Sequence, residues 1–122
     1  MSKNVLRLHV QLVDVDVIVC YGMKKLCKIA FKEYGDKITK DELSKYAGVC
    51  NTLELKGGGI VCLIGLDKGQ SSNEIERIIV HELSHCVSDI MSEYGLECDE
   101  TRSYMLDRLY SDVMKWYKKE IK

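Results

Sequence analysis

Glu74-Ile75-Glu76-Arg77-Ile78-Ile79-Val80-His81-Glu82-Leu83-Ser84-His85-Cys86-Val87-Ser88-Asp89-Ile90-Met91-Ser92-Glu93 is the stretch from which the rest of the chain is read. Ile75, Ile78, Ile79, Leu83, Cys86, Val87, Ile90, Met91 and, just beyond, Tyr94 recur at helical spacing. They make a broad apolar stripe, the mark of a helix packed on a core. Ser71 followed three residues later by Glu74 has capping-box spacing, and Gly95 stands where such a helix stops. On this helix His81 and His85 are four residues apart and share a face. Two imidazoles so placed can grip one zinc ion, with Glu82 beside them as a proton acceptor.

A chain of 122 residues makes one domain. Apolar residues at 46% and charged residues at 30% describe an ordinary globular composition. The formal net charge of −1 comes from acids and bases mixed along the chain, so nothing favours nucleic acid or an anionic membrane as partner. No apolar run approaches a membrane span. Cysteines stand at 20, 27, 50, 62, 86 and 98, with no C-x-x-C pair and no leader-like start. Most fall at apolar positions, which implies reduced core thiols and a cytoplasmic protein.

Working outward from the motif, Val5 to Cys20 alternates and then becomes wholly apolar, fitting one long strand or a kinked pair. Met23, Leu26, Cys27, Ala30, Phe31 and Tyr34 form the stripe of a helix between Gly22 and Gly35. Thr39 and Glu42 predict a capped short helix ending near Gly48. Cys50 to Leu55 and Ile60 to Leu66 read as two strands joined through Gly57-Gly58-Gly59. That triplet reads as a hairpin turn, because no Lys-Ser/Thr pair or helix follows to make a phosphate loop. A last helix carries Met105, Leu106, Leu109, Val113, Met114 and Trp116, with Asp99 as its expected N-cap. The expected class is α+β: a small, largely antiparallel sheet with helices on one side.

A catalytic zinc keeps three protein ligands and an open position. His81 and His85 supply two; the acids Glu97, Asp99 and Glu100 compete for the third. Glu97 sits in the turn and Asp99 is the better cap, so Glu100, in the first helical turn, is the expected ligand and Asp99 the runner-up. Such a metal would acidify a water and polarise a substrate carbonyl, with Glu82 as general base. Tyr104, one turn past Glu100, is a candidate donor to the oxyanion. The substrate expected is a peptide, added as a strand beside the hairpin that precedes the motif helix. A non-catalytic zinc-binding domain and a zinc hydrolase of non-peptide amides are the alternatives.

The ordering of sheet, edge strand, H-E-x-x-H helix and a Glu on the next helix resembles the zincin metallopeptidases. A Glu in place of a third His is similar to the gluzincin branch; the residues after His85 lack the glycine and histidine of the metzincin pattern. Asp99-Glu100-Thr101-Arg102-Ser103-Tyr104 also resembles the Asp-Glu-x-x-x-Tyr signature of small phage and prophage zinc peptidases. The likeness spans about residues 50 to 118. It implies a zincin-like domain over 1–122, with zinc held by His81, His85 and Glu100 and with Glu82 as base. Tyr104 stands where larger gluzincins carry an Asp, and no further histidine is left to hold an oxyanion.

Overall fold

The computed structural model describes residues 3–122. In chain order the elements are β1 (Val5–Val10), β2 (Val15–Tyr21), α1 (Met23–Tyr34), α2 (Lys40–Leu43), β3 (Gly48–Glu54), β4 (Ile60–Leu66), α3 (Ser72–Glu93) and α4 (Asp99–Trp116), with a π-helical extension over Tyr117–Ile121. The four strands form one sheet in the order β1-β2-β4-β3. β1 with β2 and β3 with β4 are antiparallel, whereas β2 and β4 run parallel. The class is therefore α+β with a mostly antiparallel, mixed sheet.

Alternation along the two central strands sends side chains into two separate cores. Val15, Val17 and Val19 of β2, with Cys62, Ile64 and Leu66 of β4, meet Ile75, Ile79, Leu83 and Met105 of α3 and α4. Ile18 and Cys20, with Val61 and Leu63, meet Met23, Leu26 and Ala30 of α1 and Leu43 of α2. Helices thus cover both faces, not the single face expected from the sequence. The physical reason lies in β4: all seven of its residues are buried. A strand apolar at every position needs a covered face on each side.

The first strand region is a hairpin, not one long strand. Its reversal passes through Asp14, the one non-glycine residue with positive φ (55°) among those described. Asp tolerates that left-handed conformation better than most residues. β3 begins at Gly48, earlier than the sequence suggests, because α2 is only one turn long and the chain extends again after it. In α1 the stripe is rotated: Ile29 is buried and Phe31 is 56% exposed. The Thr39–Glu42 capping box forms in both directions. Between Leu55 and Gly59 the expected hairpin turn closes through Leu55 N–H to Gly59 C=O at 3.0 Å.

Gly65 is needed where it stands in β4. A Cβ there would lie 2.8 Å from both Leu26 Cδ2 and Met23 Sδ. Gly65→Ala should therefore lower stability by about 1–3 kcal/mol through overpacking beneath α1. Urea unfolding followed by far-ultraviolet circular dichroism checks this; an unchanged midpoint would show that α1 yields freely.

Candidate metal centre

Twenty-two residues of α3 cross the sheet, and the apolar stripe fixes the helix's rotation. Ile75, Ile79, Leu83, Cys86, Val87 and Ile90 point into the core. That phase leaves His81 and His85 at the exposed edge of the helix and Glu82 just inside it. The helix starts cleanly, since Ser71 Oγ accepts the Glu74 N–H at 3.3 Å. It stops cleanly too: Gly95, at φ 64°, lets Leu96 N–H reach back to Met91 C=O at 2.8 Å.

The imidazoles of His81 and His85 converge. Their Nε2 atoms are 3.2 Å apart, with the rings nearly perpendicular at 85°. Two nitrogens on one tetrahedral zinc, each at about 2.0–2.1 Å, would stand about 3.3 Å apart. The pair thus already has the spacing of a shared ion. The same distance suits a single hydrogen bond in which one protonated ring donates to the other's lone pair.

Glu82 is the one charged side chain buried among the described residues, at 7% exposure. Burial holds its carboxyl above the usual carboxylate range, while His81 and His85 pull it down. It lines a recess of about 340 Å3 with His81, Ile78, Arg77, Glu74, Ala47 and Gly48. Arg77 Nη1 donates to Glu74 Oε1 at 3.4 Å at the mouth of this recess.

Across the recess lies β3, an edge strand. Asp67 N–H to Ala47 C=O (2.9 Å) and Leu55 N–H to Gly59 C=O (3.0 Å) set the phase of the β3–β4 ladder. In an antiparallel ladder the intervening residues turn their backbone groups away from the partner. Gly48, Cys50 and Thr52 therefore present their backbone groups at the open edge. Thr52 Oγ1 also donates to Asp89 Oδ2 at 2.7 Å, tying β3 to α3 one turn beyond His85.

The acids expected to complete the site are placed elsewhere. Asp99 does not cap α4: Arg102 N–H bonds Cys98 C=O at 3.1 Å, so Cys98 takes the cap position and Asp99 is the first helical residue. N–H groups of Thr101 and Glu100 hold the Cys98 thiol below its ordinary pKa. Glu100 and Tyr104 line a different groove, of about 660 Å3, against Leu8, His9 and Val10 of β1. Tyr104 is 70% exposed on its rim. Arg102, two residues and so about 200° round from Glu100, faces α3 and donates to Ser88 Oγ at 3.1 Å. Among the described residues no group of three His, Cys, Asp or Glu side chains stands together as a complete metal cage. The two histidines and Glu82 are thus brought together; Glu100, Asp99 and Tyr104 are not brought to them.

No protein-family model, curated protein or solved structure matches this chain. No helix among the described residues is long and apolar enough to cross a membrane. What the site does must be argued from its own atoms.

Two contributors escaped the sequence reading. Gly48 was expected only to end a helix, yet a Cβ there would lie 2.2 Å from Ile78 Cγ2 and 3.2 Å from Glu82 Cγ. Its lack of a side chain lets the edge strand touch the motif helix. Asp89, four residues past His85, continues the face begun by His81, and that spacing was its only signal. Gly48→Ala should destabilise the fold by about 1–3 kcal/mol. Adding Ile78→Ala should recover part of that loss, because the two residues share one contact. Urea titrations of the single and double variants measure the coupling; strict additivity would refute the contact.

Proposed function

We propose that this chain is a zinc-dependent peptidase working in a reducing cytoplasm. His81 and His85 would hold the ion together with a carboxylate from the first turn of α4, Glu100 or Asp99. The observation that carries the reading is the 3.2 Å convergence of the two Nε2 atoms beside a buried carboxylate. Bound zinc would supply Lewis acidity to a water and to a substrate carbonyl.

The chain's own residues supply the rest. Glu82, between the two histidines on α3 and walled by Gly48 and Ile78, accepts the proton of the attacking water and returns it to the leaving amine. Its raised proton affinity, set by burial, favours the first half of that transfer. An extended peptide laid along the free edge of β3 would exchange main-chain hydrogen bonds with Gly48, Cys50 and Thr52. Its backbone would then run past the recess that holds His81 and Glu82. The Thr52–Asp89 hydrogen bond keeps that edge at a fixed distance from the helix.

Two measurements test this. Elemental analysis should find one zinc per chain, and a peptide-library digest should show cleavage that Glu82→Gln lowers by at least ~100-fold while zinc content and fold persist. Zinc retained without any cleavage would instead mark a non-catalytic binding domain, and turnover of small amides alone would mark a non-peptide hydrolase. For the third ligand, Glu100→Ala should weaken zinc binding by more than about tenfold. A larger loss in Asp99→Ala would transfer the role to Asp99.

A further inference from the structure

Three cysteines from three different elements meet under the motif helix. β3 and α3 run in step, because Gly48 lies against Glu82 and Thr52 is bonded to Asp89 at 2.7 Å. From Gly48 to Thr52 the strand advances about 13 Å; from Glu82 to Asp89 the helix advances about 10 Å. Cys50 stands midway along that strand segment and points to the same face as Gly48 and Thr52, two residues to either side. Cys86 stands midway along the helical one and points into the core. The two thiols therefore face each other across the seam, with Cys62 and Cys86 in one core cluster and Cys50 packed against it. Cys62 pairs with Thr52 in the β3–β4 ladder and lies 3.7 Å from its hydroxyl.

Exposure divides the three. Cys62 and Cys86 are fully buried, whereas Cys50 lies on the edge strand and is half-buried. A small disulfide can reach Cys50 first, and Cys86 waits directly behind it.

We propose that Cys50 and Cys86 are a redox modification site, closed to a reversible disulfide by exchange with a small disulfide such as oxidised glutathione. In the first step the Cys50 thiolate attacks one glutathione sulfur; the glutathione S–S bond breaks, a mixed disulfide forms and one glutathione thiolate leaves and takes up a proton. In the second, the sulfur of Cys86 attacks Cys50 Sγ, the mixed disulfide breaks, and the proton of Cys86 goes to the second departing glutathione. Two protein thiols are oxidised and one glutathione disulfide is reduced to two thiols. Reduced dithiols reverse both steps.

The bond would pin the edge strand to α3 at the residue after His85. Any effect on hydrolysis rests on the peptidase reading; the bond itself does not. Cys98 is the contrasting case, fully accessible on its own turn before α4.

The test is a disulfide map of the native full-length protein held at neutral pH with oxidised glutathione. Free thiols are then alkylated and the protein is digested with trypsin without reduction. The expected product links the peptide Tyr46–Lys56 to Ile78–Arg102. Fragmentation should assign the bond to Cys86 and not Cys98. Cys86→Ala should trap the glutathione adduct on Cys50, and Cys50→Ala should abolish both adduct and link. An adduct at Cys98 alone, a link that uses Cys62 in place of Cys50, or a link that appears only in denaturant would overturn the proposal. The wild-type map decides the matter even if a variant fails to fold. Zinc content and peptide cleavage are measured separately, so loss of the peptidase reading leaves this result standing.

Discussion

The close approach of an edge strand to one helix is the constraint on which the rest of the site depends. Gly48 has no side chain, so β3 can rest against Ile78 and Glu82 with almost no gap. That contact leaves Glu82 only 7% exposed, lining the recess, while the neighbouring imidazoles stay at the surface. A buried carboxylate costs free energy unless something compensates it, and here two imidazoles stand beside it and favour its charge. A leucine in place of Glu82 would fill a similar volume without that cost, so the carboxylate is not explained by packing alone.

A second clamp keeps the first in register. Thr52 and Asp89 join β3 to α3 about two turns beyond Glu82. Between the clamps lie Cys50 and Cys86, so the strand–helix seam runs as a series of small or thiol-bearing side chains. Small side chains let backbones come close, which is what an open edge beside a functional helix requires. The opposite face of the sheet has no such seam; there Met23, Leu26 and Ala30 of α1 close an apolar core around Gly65. Both faces carry apolar cores, and the candidate site lies on the one covered by α3.

Much of this was legible in the sequence, and the exceptions share a cause. The Ser71 cap, the Thr39–Glu42 box and the glycines at 35 and 95 declare themselves because each satisfies a local backbone need. β4 was legible from its unbroken apolar run, although that same run already implied helices on both faces. The β1–β2 reversal was not legible, because Asp14 turns the chain with neither glycine nor proline to mark it. Nor was the rotation of α1, since its many lysines and scattered apolar residues allow more than one buried stripe, and Ile29 displaced Phe31. The role of Gly48 was hidden because it depends on Ile78 and Glu82, thirty and more residues away. Local signals report local needs; the phase of one element on another does not appear in them.

That distinction bears most heavily on the third ligand. Successive helical residues turn by about 100°, so Asp99 and Glu100 cannot both be aimed at one point by the same placement of α4. The structure fixes that placement with Met105, Leu109 and Val113 in the core and Arg102 on Ser88. In this phase Glu100 shares the groove of Tyr104 and β1, and Asp99 is rotated about 100° away from it. Arg102 meets α3 through a single hydrogen bond to a hydroxyl, whereas Met105 and Leu109 are held by packing further along. The first turn of α4 therefore lies outside the core: Asp99 and Glu100 are exposed, and the Cys98 thiol accepts the N–H groups of Glu100 and Thr101 at its start. On the proposed reading of His81 and His85 as a zinc pair, the two candidate third carboxylates belong to the part of α4 that lies outside the core, so Asp99 and Glu100 differ in helical phase and not in packing.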